Sequence, residues 1–312
     1  MGRPRIVKYQ TTAYWASIGW AVARAVLVSG LCFLILQPLL VKISSSFMTE
    51  LDLFDPTVKW IPRKLSFSRI SDNYNVVYQA MKYGRALLNS IGLALVVACL
   101  QLISCSVIGY GFARFRYFGS GVVFALVILT LLVPPQMIMV PLFLNFRFFD
   151  LFGLIKTPLN LLGTFWPFVL TSITGMGSRN GLFIYIMRQV FKGQPKSLEE
   201  AALVDGAGYL RTFFTIMLPG AKPAMLVVFL FSFVWQYNDF FLTSLYFRNT
   251  AELLPFRLLD LPVIFDIYKF SREYITIINN TAMLMFVAPL MIMYAFLQRF
   301  FIESIERTGI VG

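Results

Sequence analysis

An all-α integral membrane protein with six transmembrane helices is the fold class this sequence predicts, and three observations predict it. The chain is 58% hydrophobic and only 13% charged, about half the charge of an ordinary soluble domain, and its mean hydropathy is +0.73. Its apolar runs approach the roughly 20 residues a helix needs to cross hydrocarbon. The runs are continuous rather than alternating. That favours helices over barrel strands, the two backbones that satisfy their own hydrogen bonds in lipid.

The composition also closes off several function classes. The 312 residues hold 3 cysteines and no histidine. Cys32, Cys99 and Cys105 each fall inside an apolar run and read as small packed residues, not as a disulfide framework or a metal site. Without histidine the commonest general base and metal ligand is missing, so no catalytic residue and no metal site is expected. A net charge of +12, spread over membrane-protein loops, suits anionic lipid; no nucleic-acid module is visible. No G-x-x-x-x-G-K-[S/T] loop occurs. If ATP drives this protein, another chain binds and hydrolyses it.

In chain order, residues 1–23 are a basic, aromatic segment suited to a cytoplasmic interface, with Arg3, Arg5, Lys8, Trp15 and Trp20. The apolar run behind them starts late for a cleaved leader, and no small-residue cleavage site follows it. The membrane domain, 24–302, opens with a span at 24–42, which Pro38 kinks or ends. Residues 43–85 are a polar connection with turn signals at Asp55-Pro56, Trp60-Ile61-Pro62 and Asn73-Tyr74. The second span, 87–113, is closed by Arg114 and Arg116. The third, 122–146, contains Val133-Pro134-Pro135-Gln136; a cavity-facing bend and a packing kink would each satisfy the freed carbonyls.

The fourth span, 161–190, is too long for one straight crossing, and the run Gly175-Met176-Gly177-Ser178-Arg179-Asn180-Gly181 reads as a break in it. Arg179 then either faces water or a partner at membrane depth, or reaches an interface from a short loop. The fifth, 223–247, carries Trp235-Gln236-Tyr237-Asn238-Asp239. Aromatic faces beside amides suit a sugar path, and equally suit hydrogen bonding between helices. Residues 248–274 read as an external loop, 275–302 as the last span with Pro289 inside it, and 303–312 as a cytoplasmic tail.

Residues 191–222 are different in kind: polar, structured, and flanked by spans. Leu198-Glu199-Glu200-Ala201-Ala202-Leu203-Val204-Asp205 reads as a short amphipathic helix, with Ser197 as its cap and both glutamates in the first turn. Gly206 permits a bend, and a second helical stretch runs from Tyr209 to Leu218-Pro219. Glu200-Ala201-Ala202, then Gly206, then Ile216 and Leu218-Pro219, with Asp205, Ala207 and Phe213 also in place, resembles the cytoplasmic loop signature of the membrane subunits of ATP-binding-cassette (ABC) importers. The Trp-Ile-Pro loop and the Trp235–Asp239 run resemble the carbohydrate-type, maltose-like branch, with Tyr237 where that branch usually has Trp.

The resemblance covers the chain from about residue 43 to its end and is poor over 248–274. It implies a type I importer permease fold with both ends in the cytoplasm, in a bacterial or archaeal inner membrane. It implies a non-catalytic permease that translocates a sugar or oligosaccharide. The implied partners are a second homologous permease, two ATPase subunits that carry the ATP and Mg, an extracytoplasmic solute-binding protein, and membrane lipid. Glu199, Glu200, Ala201, Ala202, Asp205, Gly206, Ala207, Phe213, Ile216, Leu218 and Pro219 are then the ATPase-coupling residues. Arg179, Asn180, Trp235, Gln236, Tyr237, Asn238 and Asp239 are the candidate substrate path. Lys and Arg are shared evenly between the two sets of loops until the long first loop is set aside, so orientation leans on the loop signature. Two alternatives stay open: a related ABC importer for a non-sugar solute, and an ion-coupled secondary transporter, which would need intramembrane carboxylates such as Asp239.

Overall fold

The structure, a computed structural model, describes residues 12–55, 57–58, 60–63, 67–150, 153, 157–247 and 252–309. The N-terminal basic residues Arg3, Arg5 and Lys8, with Pro56, lie outside the described residues. Among the described residues the chain is helical; its one β-type pairing is an isolated bridge between Phe149 and Leu159. It divides into two compact units, Met1–Val77 with Ile264–Met285, and Tyr78–Val263 with Phe286–Gly312.

The first unit is built on α1 (Thr12–Ser46) and α2 (Glu50–Phe54). No part of the most apolar stretch of α1 is buried, and Val26, Leu27, Leu34 and Ile35 all face outward, as a helix bathed in lipid would present them. Near its end Lys42 Nζ reaches Met283 Sδ at 2.9 Å and Asn280 Oδ1 at 3.3 Å, and the Asn280 amide donates to Ser45 Oγ at 2.8 Å. The start of α2 is fixed by a capping box between Thr49 and Asp52.

The second unit carries α4 (Tyr83–Arg114), which follows α3 (Phe67–Ala80). After α4 come α5 (Ser120–Leu129), a 3-10 turn (Pro135–Ile138), α6 (Met139–Arg147), α7 (Trp166–Ile173), α8 (Asn180–Gly193) and α9 (Lys196–Val204). Next are α10 (Tyr209–Thr212), a π-helical turn (Phe213–Met217), α11 (Leu218–Gly220), α12 (Lys222–Tyr237) and α13 (Phe241–Phe247). The last two helices, α14 (Leu254–Ile267) and α15 (Arg272–Gly309), run across the division between the units.

α4 is the axle of this unit, and α7, α8 and α12 pack on it. Gly109 lets α4 and α8 approach closely: a Cβ there would stand 2.7 Å from Met187 Cβ and 2.9 Å from Arg188 N. Small residues at such crossings are how membrane helices gain van der Waals contact. Around the last turns of α4, Cys105, Tyr110, Phe183, Met187, Phe191, Phe213 and Met217 form one apolar core. Around its first half, Leu93, Val97, Phe146, Phe168, Tyr246 and Phe247 form another. The layer between them is polar, with Gln101, Ser104, Ser172, Asn180 and Ser232 all buried. At the start of α4, Glu252 gathers Lys82 (3.0 Å), Arg85 (2.7 Å) and Arg257 (3.2 Å), so one carboxylate ties the approach to α14 onto α4.

Several segments differ from the sequence reading. Residues 122–146 are not one helix: the backbone leaves α5 after Leu129 and restarts as the 3-10 turn at Pro135, because Pro134 and Pro135 cannot donate to the ladder. Among the described residues, three helices are long and apolar enough to cross a membrane unaided, or four if the bent pair Tyr209–Gly220 and Lys222–Tyr237 is one span. The remaining apolar segments are broken by proline or glycine. Residues 254–267 are helical rather than loop, with Pro255 in the first turn where its missing N–H costs nothing. Residues 303–309 prolong α15. Cys32 and Cys99 are exposed; only Cys105 is buried.

Candidate functional site

α9 begins without a side-chain cap. Its N-cap is Pro195, so Ser197 lies inside the first turn and does not cap. Of the two glutamates only Glu199 is in that turn, and the helix turns them to opposite sides. Glu199 and Ala202 are buried, while Glu200, Ala201 and Val204 are exposed. That division follows the 3.6-residue period: positions 199 and 202 share one face, and 200, 201 and 204 share the other.

Glu199 is held by the end of α4. Tyr110 Oη donates to Glu199 Oε1 at 2.5 Å, and Arg114 Nε lies 3.1 Å from Glu199 Oε2 with both side chains buried. Nε is paired in charge there but sits off the hydrogen-bond line; Arg114 Nη2 donates to the Gln194 carbonyl at 2.8 Å instead. Gln194 in turn donates from Nε2 to the Met217 carbonyl at 3.1 Å. This polar latch links α4, the end of α8, α9 and the π-helical turn. Glu199 is among the residues expected from sequence; Tyr110, Arg114 and Gln194 are not. Tyr110 and Arg114 are one helical turn apart at the polar end of a span, a spacing that puts both on one face.

α9 ends in a Schellman motif. Asp205 is the C-cap, Gly206 follows with φ +82°, and the Ala207 N–H returns to the Ala202 carbonyl at 2.9 Å while Gly206 N–H bonds Leu203 O at 3.1 Å. A Cβ at Gly206 would meet nothing within 4 Å, so backbone conformation, not space, calls for glycine. Beyond it the Leu218 N–H reaches back five residues to Phe213 O, a π-turn placed just before Pro219, which has no N–H to give. At Ala221 the chain bends by 79° into α12.

The elbow's outer surface combines charge with apolar side chains. Glu200, Ala201, Asp205 and Gly206 are exposed, with Val204 (87%), Leu210 (77%) and Phe214 (59%) beside them. Pro219 is exposed too, while Ile216 and Leu218 are half-buried against the core. Phe213 faces inward, packed on Tyr110 at 4.9 Å and Phe191 at 6.0 Å, and holds the loop rather than presenting it.

The second candidate region is the break between α7 and α8. Gly175 has φ +74° and Arg179 φ +61°. Gln101 bridges the break: its amide nitrogen donates to the Ser178 carbonyl at 3.1 Å, and its oxygen accepts from the Ser232 hydroxyl. Arg179 is exposed and lies over the Trp235 ring, 4.3 Å from its centroid. Asn180 is 2% exposed, with neither amide atom hydrogen-bonded.

The rest of the Trp235–Asp239 run splits away. Tyr237 is buried and donates to Phe286 O at 2.9 Å. Asn238 donates to Val234 O at 2.8 Å. The Asp239 carboxylate accepts from Thr243 N and Oγ1, both at 2.8 Å, and caps α13. Gln236 Nε2 is buried without a partner. Arg179, Asn180 and Trp235 are thus brought together, while Tyr237 and Asp239 are engaged in holding helices. The carboxylate that an ion-coupled carrier would need is already occupied.

A helical unit with two apolar cores on either side of a polar layer, and with a polar elbow fastened to the end of α4, has the layout of a membrane component of a transport system. The chain belongs to the family of binding-protein-dependent transport system inner membrane components, whose model matches residues 106–306. It is 28% identical to the osmoprotective compounds uptake permease protein GgtD of Synechocystis sp., over 80% of this chain and 77% of that one. It is 26% identical to the probable starch degradation products transport system permease protein AmyC of Thermoanaerobacterium thermosulfurigenes, over 88% and 91%. A solved bacterial ABC transporter involved in import of the acidic polysaccharide alginate shares its fold, with TM-score 0.73 and 22% identity over 92% of this chain and 98% of that one. The family is the non-catalytic permease component of ABC transporters; ATP hydrolysis belongs to a separate subunit and solute delivery to a binding protein.

Proposed function

We propose that this chain is one of two homologous permease subunits of a carbohydrate importer, and that its elbow is the joint through which a pair of ATPase subunits drives it. In this reading six spans cross the cytoplasmic membrane of a bacterium or archaeon, both termini are cytoplasmic, and ATP and Mg are bound by the partner ATPases. The observation that carries it is the division of α9 into two faces. Glu199 and Ala202 fasten the helix to α4, while Glu200, Ala201, Val204, Asp205 and Gly206 stay free for a partner. A helix bound firmly on one side and presented on the other transmits displacement with little loss. Glu200 offers the partner a charge-assisted bond, and Ala201 lets its backbone come close. ATP biases the inward-to-outward equilibrium only through its preference for the closed ATPase pair, and the elbow delivers that preference to the spans.

The substrate assignment draws on relatives whose names specify starch degradation products, arabinooligosaccharides and galactooligosaccharides. One relative named for osmoprotective compounds favours, as a second reading, a non-sugar solute. A thermal-shift screen of the cognate binding protein against oligosaccharides, compatible solutes and amino acids separates the two: stabilisation by amino acids alone would refute the carbohydrate assignment. For the joint, Glu200→Lys in the full complex reconstituted in nanodiscs is expected to insert and to hydrolyse ATP without transporting. Normal uptake per ATP in that variant would contradict the coupling role.

A further inference from the structure

We propose that Arg179, held over Trp235, is a mid-membrane recognition subsite for an anionic group on the transported solute, most directly a sugar carboxylate. The subsite rests on the importer reading above and narrows its solute class.

Depth is the first consideration. The Gln101–Ser178 hydrogen bond sets Arg179 level with the middle of α4. From residue 101 to Arg114, where α4 meets the elbow, the helix rises roughly 20 Å at 1.5 Å per residue. Counting along α8 from Arg179 to Gly193, where the elbow begins, again gives roughly 21 Å. Two helices therefore agree, and with hydrocarbon roughly 30 Å thick beginning at the elbow, the Arg179 backbone stands on the order of 10 Å from the far boundary. At that level only a fully extended side chain would approach an interface, and this one lies over the Trp235 ring instead.

Charge is the second. Arg179 is exposed on the surface of this chain and pairs with no carboxylate among the described residues. Asp239, the acidic group on the Trp235 run, is engaged in capping α13. A lone guanidinium turned to lipid at that depth is strongly disfavoured, so it faces a watered path or a counter-charge.

Preorganisation is the third. The left-handed backbone at Arg179 and the Trp235 ring, itself stacked on Phe183 at 5.6 Å and Phe231 at 5.4 Å, hold the guanidinium by its face. Its N–H edge stays open, the edge that grips a carboxylate with two parallel bonds. A fixed positive charge in such a path favours anionic solutes, opposes cationic ones and is near-indifferent to neutral ones.

The test uses the complete transporter, with both permeases, ATPases and binding protein, in proteoliposomes. Uptake of oligogalacturonate and oligomannuronate trimers is compared with that of neutral maltotriose for wild type, Arg179→Gln and Arg179→Lys. The wild type is expected to import a uronate. Arg179→Gln should lower that uptake by about tenfold or more with neutral uptake within about twofold, and Arg179→Lys should restore part of the loss. The subsite is overturned if wild type imports no uronate, or if Arg179→Gln lowers uronate and neutral uptake alike. It is also overturned if either variant releases the second permease on co-purification, which would put the counter-charge on that subunit. Failure of the binding protein to stimulate the wild-type ATPase would instead remove the importer reading itself.

Discussion

Glu199 and Glu200 are chemically identical neighbours with opposite assignments. Glu199 shares a buried site with Arg114 and Tyr110, and removing one partner of a buried ion pair leaves an uncompensated charge worth about 3–5 kcal/mol. Glu199→Gln is therefore expected to lower the stability of the purified permease by that order. Tyr110→Phe, which removes one charge-assisted hydrogen bond, should cost about 1.5–3 kcal/mol, and Glu200→Gln almost nothing. Thermal unfolding in detergent checks the ranking; equal effects at 199 and 200 would mean the latch is not closed. At the opposite end of α4, the hydrogen bond from Lys82, with the charges of Arg85 and Arg257, holds the Glu252 carboxyl below the usual glutamate range. Because the folded pKa is the lower one, the tether is complete above the unfolded value of about 4.3 and is lost as pH falls through the folded value. Hydrogen exchange across 252–260 should stay protected above the unfolded value and rise as pH falls through the folded one, and Glu252→Gln should abolish that acid transition.

Among the elements, the elbow depends most on its backbone. Gly206 stands at φ +82° with open space around it, so Gly206→Ala should cost about 1–2 kcal/mol through the left-handed conformation alone. Gly206→Pro, whose ring holds φ near −65°, should disrupt the Schellman turn and uncouple ATP hydrolysis from uptake. A ratio of solute moved per ATP unchanged from wild type in the proline variant would contradict this. How much of the elbow can be read from sequence follows from the range of the forces. Its helices and its glycine are local signals, set by residues within one or two turns. The inward turn of Glu199 is not local, because it depends on a tyrosine and an arginine some ninety residues earlier in the chain. Ser197 is a local exception: a serine at a helix start is the ordinary signal for a cap, but the helix already begins behind Pro195. Pro134-Pro135 announced a bend without stating that the helix would stop, since proline interrupts a ladder and packing then decides whether it resumes.

For the molecule as a whole, composition alone settled the solvent, because a chain so apolar has nowhere to fold but lipid. The unit that packs on α4 is a stack of two apolar cores with a polar layer between them. That layering was invisible in sequence, since Gln101, Asn180 and Ser232 come from three separate segments. It makes the polar layer the soft plane of the unit. Gln101→Leu, which cuts the bridge to Ser178 and Ser232, should raise hydrogen exchange around the α7–α8 break while leaving the Tyr110–Glu199 end unchanged; a uniform rise along the unit would show that the two cores open together. The 79° bend at Ala221 has a mechanical result of its own. Two limbs set almost square to each other form a bell crank: under the coupling role proposed above, a sideways push on the short limb would tip the long one.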